Sequence, residues 1–92
     1  MEFVVLYSLR EGTERARLLE VFPRHKAYYE AFRAAGGGLI ALGPFQKPDP
    51  AGSSMGIFSS REDAERFIAQ DPFVTEGLAD PRVLEWNVVR FE

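Results

Sequence analysis

The sequence predicts an α+β domain in which two helices cover one face of a four-stranded antiparallel sheet. Three observations lead to this prediction. Short apolar runs alternate with stretches of helical periodicity in the order β-α-β-β-α-β. The chain has 92 residues, which is room for one hydrophobic core, so we expect a single domain over residues 1–92. No internal repeat, low-complexity tract or linker interrupts the pattern.

The first strand is predicted over residues 2–9, where six of the eight positions are valine, leucine or aromatic residues. A run that is apolar on both faces is typical of a strand in the middle of a sheet. The pair Gly12-Thr13 then introduces a helical stretch that extends to Ala35, with apolar positions at steps of three and four residues. Pro23 lies inside this stretch, so we expect the helix to be kinked there or to begin anew near Phe22.

The run Gly36–Gly38 is expected to end this helix, because glycine readily adopts the left-handed cap conformation. A phosphate-binding loop is not indicated, since such loops follow a strand and open a helix. The second strand is predicted over Leu39–Phe45 and the third over Ser54–Phe58. Two prolines and a glycine between them predict a turn or short mobile loop over Gln46–Ser53.

The second helix is predicted over residues 61–70, because Ser59 and Ser60 stand three residues before Glu62 and Asp63 in a capping-box pattern. The tripeptide Asp71-Pro72-Phe73 breaks this helix and can open one more helical turn. The last strand is predicted over Arg82–Phe91, where side chains of opposite character alternate.

This order of elements corresponds to a ferredoxin-like, split βαβ topology. Right-handed crossovers place both helices on one face of the sheet and leave the other face uncovered. A sheet with apolar residues on both faces needs a second cover, so we expect the chain to form a homodimer through that face.

Composition excludes several classes of partner. The formal net charge is -3, without a basic stripe, which argues against nucleic acid and anionic membrane surfaces. No apolar run approaches the roughly 18 residues of a membrane span. The chain has no cysteine, so it forms no disulfide or thiolate metal site. Its first residues lack the features of a signal peptide, and we expect a cytoplasmic protein.

The sequence contains one histidine, His25, which lies on the apolar stripe of the first helix. It can be a half-buried histidine with one backbone or carboxylate partner, or a general acid or base. If the helix restarts at Pro23, His25 falls in the first turn, where the helix dipole disfavours the imidazolium form.

Asp71 can likewise be read in two ways. Followed by Pro72, it matches a helix N-cap with proline at the first helical position. Alternatively, it orients the imidazole of His25. We expect both helices to start at the same sheet edge and run in the same direction. The spacing from Thr13 to His25 equals that from Ser59 to Asp71, so both groups should lie about 18 Å from that edge.

A metal site would need His25 together with carboxylates such as Asp71 and Glu76. One imidazole with oxygen ligands is an unspecific set. We therefore expect no metal ion and no cofactor.

Several segments together resemble a known family. They are a histidine segment, a glycine-bounded strand, a capped helix, an Asp-Pro-Phe turn and a closing tryptophan, found at Pro23–Tyr28, Gly38–Pro44, Ser59–Phe67, Asp71–Phe73 and Trp86. In this order they resemble the YCII-related (YciI-like) proteins over essentially the whole chain. The resemblance implies a dimeric α+β barrel with an active site at a histidine and an aspartate, which correspond to His25 and Asp71.

The resemblance also implies a function. A related muconolactone-type dehydrochlorinase carries out proton transfer and elimination on small organic acids, and we expect proton-transfer, isomerisation or elimination chemistry here. The alternative is a non-catalytic dimeric ligand-binding or accessory domain. The proline-rich segment Lys47–Pro50 departs from the family pattern, so substrate preference is not carried over. A small ligand is expected to contact Ser53, Ser54, Tyr28, Phe73 and Gly43.

Overall fold

An antiparallel four-stranded sheet in the order β2-β3-β1-β4 forms the frame of the computed structural model, which describes residues 1–91. Its elements are β1 (Glu2–Leu9), α1 (Arg15–Ala34), β2 (Leu39–Asp49), β3 (Gly52–Phe58), α2 (Arg61–Gln70), α3 (Pro72–Thr75) and β4 (Ala79–Trp86). This order and topology confirm the predicted ferredoxin-like fold. The bounds of β1 and α2 agree with the predicted ones.

β1 is central because it pairs on both sides. Val5 lies opposite Gly56 of β3 and opposite Val83 of β4, and its side chain is fully buried. The apolar run at the start of the chain therefore forms the middle of the sheet, as predicted.

Helix α1 is continuous through Pro23, so the predicted restart near Phe22 is wrong. Pro23 lacks an N–H for the carbonyl of Leu19, but both residues are exposed and water can satisfy that carbonyl. His25 consequently lies about three turns into α1, beyond the reach of the dipole at its N-terminus. None of the helices within residues 1–91 combines the length and the apolar character needed to cross a bilayer.

The glycine run closes α1 as predicted. Gly36 has a φ of 79°, and the N–H of Gly37 donates to the carbonyl of Phe32 at 3.0 Å. A side chain at Gly37 would collide with the ring of Phe32. The chain therefore turns tightly from α1 into β2.

Strand β2 is longer than predicted and continues past Pro44 and Pro48 to Asp49. The predicted loop over Gln46–Ser53 is therefore wrong, and only a two-residue turn separates β2 from β3. The physical reason is the position of β2 at the edge of the sheet, where proline removes no bond that a neighbouring strand needs. The pairing of β2 with β3 is irregular between Pro44 and Asp49.

Strand β4 is displaced relative to its prediction and runs from Ala79 to Trp86 instead of Arg82–Phe91. Its partner sets both ends: Leu9 of β1 pairs with Ala79, and Glu2 pairs with Trp86. Residues 87–91 keep an alternating sequence, but β1 has no residues opposite them.

The two long helices run antiparallel, which corrects the expectation that they share a direction. β1 and β3 are antiparallel neighbours, so they end at opposite edges of the sheet and the following helices start there. The contacts between them agree with antiparallel helices. Tyr28 bonds to Phe67, and His25, which precedes Tyr28, bonds to Asp71, which follows Phe67. The two side chains still meet, because each lies about 14–16 Å from the edge at which α1 ends and α2 begins.

The core lies between the sheet and the helices. Its buried members are Val5, Tyr7, Leu39, Phe58, Ala64, Phe67 and Ala79. The rings of Phe58 and Phe67 are 5.1 Å apart and join β3 to α2. Tyr7 carries the polar group of this core, and its hydroxyl donates to Oδ2 of Asp71 at 2.6 Å. Burial, followed by the negative charge of Asp71 and this hydrogen bond, raises the pKa of Tyr7.

The opposite face of the sheet has no covering layer in one chain. Val4 lies between Ile57 and Leu84 on this face, and Leu6 lies opposite Met55. These side chains alternate with the buried Val5 and Tyr7, so they point away from the helices. We call this surface, with Val4, Leu6, Met55, Ile57 and Leu84, the open face.

The buried phenol makes stability depend on alkaline pH. We expect Tyr7→Phe to lower the free energy of unfolding near neutral pH by about 1–3 kcal/mol, because Oδ2 of Asp71 loses its donor inside the core. Above about pH 10 the unfolded wild type ionises Tyr7 while the folded form does not, so the wild type loses stability. The variant has no such loss. The difference in the free energy of unfolding between the wild type and Tyr7→Phe should therefore shrink by up to about 1.4 kcal/mol per pH unit.

Urea unfolding of both proteins between about pH 7 and 11 measures this difference. A deficit that stays constant up to pH 11 would contradict the assignment of a protonated, buried Tyr7.

Candidate active site

His25 and Asp71 are in direct contact. Nδ1 of His25 lies 2.7 Å from Oδ1 of Asp71, with the histidine buried and the aspartate fully shielded from solvent. His25 projects from α1, and Asp71 occupies the junction of α2 and α3, where it is the N-cap of α3. The proximity expected from the sequence is therefore present, although the helices approach from opposite directions.

Both oxygens of the Asp71 carboxylate have hydrogen-bond donors. Oδ1 accepts from the backbone N–H of Phe73 at 3.2 Å and faces His25, whereas Oδ2 accepts from the Tyr7 hydroxyl at 2.6 Å. Within residues 1–91 no lysine or arginine forms an ion pair with this carboxylate. Because a buried charge without partners is costly, these three donors are what allows a carboxylate to occupy the interior.

Aromatic rings hold the imidazole in place. Phe73 stacks on His25 with ring centroids 4.2 Å apart and planes 13° from parallel. Tyr29 meets the imidazole edge-on at 5.3 Å, and Phe22 lies 6.1 Å away on the same stripe of α1. Stacking and the bond to Asp71 together restrict rotation of the ring.

The geometry assigns different roles to the two imidazole nitrogens. An ionised Asp71 can only accept hydrogen bonds, so Nδ1 of a neutral His25 carries the proton and Nε2 carries the lone pair. Nε2 bonds to no described residue. The His25 side chain keeps 10% of its surface exposed. Such an imidazole can accept a proton from a bound molecule.

Glu76 does not join His25 in a cluster of ligands. Its carboxylate pairs with Arg17 at 2.5 Å and with Arg24, and these contacts link α3 to α1 beside the site. The hydrogen bond from Arg24, together with the charges of both guanidinium groups, lowers the pKa of Glu76. In the described part of the chain no three carboxylate or imidazole groups lie close enough to hold a metal ion.

The predicted ligand-contacting residues are dispersed. Phe73 touches His25, whereas the Tyr28 hydroxyl donates to the carbonyl of Phe67 at 2.8 Å. The Ser53 hydroxyl donates to the backbone carbonyl of Tyr7 at 3.0 Å, and Ser54 lies opposite Tyr7 in the sheet. Gly43 lies opposite Met55, beside the open face. Of these five, Phe73 is the one in ring contact with His25, and the ligand contacts of all five stay predictions.

Sequence reasoning missed Tyr7 as a member of this network. A tyrosine in a central strand buries its ring with the neighbouring apolar residues, and its hydroxyl then needs a partner in the interior. Asp71 is that partner. The signal in the sequence was a phenol inside the most apolar strand, but the identity of its partner depends on the tertiary fold.

The shallow depressions on the surface of residues 1–91 include the following two. One is at the open face and is lined by Ala41, Leu42, Gly43, Met55 and Ile57. The other follows the β1–α1 connection and is lined by residues 10–14 together with Arg17, Gly77 and Leu78. Neither includes His25 or Asp71, so neither of these depressions encloses the imidazole.

Solved structures with a similar fold include a dehydrochlorinase and a cofactor-independent oxygenase. The 5-chloro-2-hydroxyhydroquinone dehydrochlorinase TftG from Burkholderia phenoliruptrix AC1100, in complex with 2,5-dihydroxybenzoquinone, is 24% identical with a TM-score of 0.70. The match covers 95% of this chain and 94% of that one. SnoaB, a cofactor-independent oxygenase from Streptomyces nogalater, is 16% identical with a TM-score of 0.54, over 98% and 93% of the two chains.

A third similar structure is a dimeric protein of unknown function and ferredoxin-like fold from Bacteroides fragilis. It is 18% identical with a TM-score of 0.50, over 92% of this chain and 94% of that one. No curated protein matches the sequence.

The family assignment comes from the sequence itself. The model of the YCII-related domain matches residues 1–87, which include every strand and helix of the fold as well as His25 and Asp71. This chain belongs to the YCII-related domain family.

Proposed function

We propose that this protein is a small-molecule enzyme in which His25 is the general acid and base and Asp71 orients its imidazole. The observation that supports the proposal most directly is the 2.7 Å contact between Nδ1 of His25 and Oδ1 of the buried Asp71. This contact leaves Nε2 as the nitrogen that faces a ligand. The same division of roles between the nitrogens operates in histidine–carboxylate pairs of known catalytic sites.

The reaction class that fits is proton transfer, isomerisation or elimination on a small organic acid. Nε2 removes a proton from carbon or oxygen of the substrate, and the electron pair of that bond forms a new double bond. In an elimination the leaving group departs with its own electron pair. The imidazolium formed is stabilised by the charge of Asp71 and then returns its proton to the product or to water.

The likeness to TftG supports this class, because that protein is a dehydrochlorinase solved with a hydroxylated quinone. Planar ligands of this kind suit the aromatic surroundings of the imidazole, where Phe22, Tyr29 and Phe73 present their rings. We therefore choose hydroxylated quinols as the first probes.

We also propose that two copies associate through the open face. Its side chains are apolar, and Leu84 is 42% exposed in one chain. Uncovered apolar sheet faces are typical of association surfaces. The similar protein from Bacteroides fragilis is dimeric, which supports a second copy as the cover.

A non-catalytic ligand-binding domain is the second candidate. It is favoured by the two surface depressions, because neither of them includes His25. In this case the His25–Asp71 contact would stabilise the junction of α1 with α3, and a ligand would bind without being converted.

The catalytic proposal is tested by turnover of 5-chloro-2-hydroxyhydroquinone and a panel of related quinols, followed by chloride release and absorbance. We expect His25→Gln to lower kcat by about a hundredfold to ten-thousandfold, because it removes the proton acceptor. Asp71→Asn should also lower kcat, since an amide cannot replace the carboxylate that stabilises the imidazolium. Circular dichroism establishes that each variant is folded.

Lys26→Gln is the matched control, because Lys26 adjoins His25 in α1 but pairs with Glu30 in solvent. It should retain wild-type turnover. Equal turnover by His25→Gln and the control would refute a catalytic histidine. Binding of a quinol with no turnover by the wild type would instead favour the ligand-binding domain.

The association proposal predicts a dimer at micromolar concentration in light scattering coupled to gel filtration. Leu84→Asp places a charge on the open face, and we expect it to yield monomers. Leu19→Asp introduces the same charge at a position that is 59% exposed on α1 and should leave the dimer intact. A monomeric wild type, or equal behaviour of the two variants, would contradict association through this face.

A further inference from the structure

A continuous chain of buried hydrogen bonds runs from the centre of the sheet to the imidazole. The hydroxyl of Tyr7 lies 2.6 Å from Oδ2 of Asp71, and Oδ1 of Asp71 lies 2.7 Å from Nδ1 of His25. Tyr7 is 5% exposed and Asp71 is fully buried. Three elements, β1, the α2–α3 junction and α1, therefore meet at one carboxyl group.

Two donors define the plane of this carboxylate. The backbone N–H of Phe73 reaches Oδ1, and the Tyr7 hydroxyl reaches Oδ2. Because they bind different oxygens from different elements, they oppose rotation of the carboxyl group about its bond to Cβ. Oδ1 keeps a second lone pair, which is the one that faces Nδ1 of His25.

Tyr7 is well suited to anchor the carboxylate. Its backbone lies between Ser54 of β3 and Pro81 of β4, in the central strand, and its carbonyl also accepts a hydrogen bond from the Ser53 hydroxyl. A donor on such a rigid element fixes its acceptor more accurately than one on a loop.

The direction of the hydrogen bonds is also fixed. Burial and the neighbouring charge of Asp71 raise the pKa of Tyr7, so the phenol stays protonated and donates at neutral pH. The carboxylate accepts from both sides, and the proton of the neutral imidazole must therefore reside on Nδ1.

We propose that Tyr7 is a positioning residue of the site: its hydroxyl holds the Asp71 carboxylate so that Oδ1 accepts the Nδ1 proton of His25 and Nε2 remains the free nitrogen. The inference rests on the proposed function of the His25–Asp71 pair and adds a third member to it. Without the hydroxyl, Oδ2 is left buried and without a donor, and the carboxyl group reorients to recover one.

The single histidine makes this inference testable without a substrate. In ¹⁵N-labelled full-length protein, nuclear magnetic resonance observes one imidazole, and the Nδ1-bound proton and its exchange with water can be followed directly. We expect the wild type to show a protonated Nδ1 with slow exchange. In Tyr7→Phe we expect exchange to be faster by about tenfold to a hundredfold, because a hydrogen bond to a charged group is lost.

Tyr28→Phe is the matched control. It removes the hydroxyl of a tyrosine in α1, and this hydroxyl bonds to the carbonyl of Phe67 rather than to Asp71. A general loss of stability would affect both variants, whereas the positioning role predicts that Tyr28→Phe leaves the exchange of the Nδ1 proton at the wild-type rate.

Equal exchange rates in Tyr7→Phe, Tyr28→Phe and the wild type would overturn the inference. Asp71→Asn separates this outcome from failure of the proposed function: a slow Nδ1 proton that survives in Asp71→Asn means that the His25–Asp71 pair itself does not operate. If Tyr7→Phe does not fold, the inference is tested in the wild type by measuring the exchange of the Tyr7 hydroxyl proton with water. This proton should be visible in the spectrum and protected from exchange. Its rapid exchange with water would refute the positioning role of Tyr7.

Discussion

The buried carboxylate of Asp71 is the constraint on which the arrangement of this domain depends. A negative charge in the interior is tolerated only where donors surround it, and here they come from β1, α3 and α1. Any shift of α1 along the sheet would remove one of these donors. The same carboxyl group also caps α3, so it joins secondary structure, tertiary packing and the candidate chemistry in one residue.

The elements with strong local signals could be predicted from the sequence. β1 is apolar throughout and α2 has a serine N-cap whose oxygen accepts from the N–H of Asp63, and the structure has both elements with the predicted bounds. The ends of the edge strands were harder to predict from the sequence, because they depend on pairing with the neighbouring strand. β4 stops at Trp86 because Glu2 is the last residue of β1 with which it pairs. β2 continues through two prolines because it lies at the edge of the sheet and has no strand on its outer side.

The proximity of His25 and Asp71 could be predicted from the sequence, but the argument for it assumed the wrong relative direction of the helices. His25 and Asp71 were identified from an apolar stripe and an Asp-Pro step, and their contact was expected from equal depth on parallel helices. The helices are antiparallel, and the depths agree because His25 lies as far from the end of α1 as Asp71 lies from the start of α2. Tyr7 was not identified, because the local sequence does not indicate which buried acceptor its hydroxyl bonds to.

The prolines of β2 also affect how copies of this protein can meet. Pro44 and Pro48 lie in an edge strand and have no N–H to offer to an incoming strand. Such a rim resists the strand-by-strand growth that leads to fibrous aggregates. The sheet thus discourages lateral extension at its β2 edge, which leaves the open face as the surface through which we propose that copies associate.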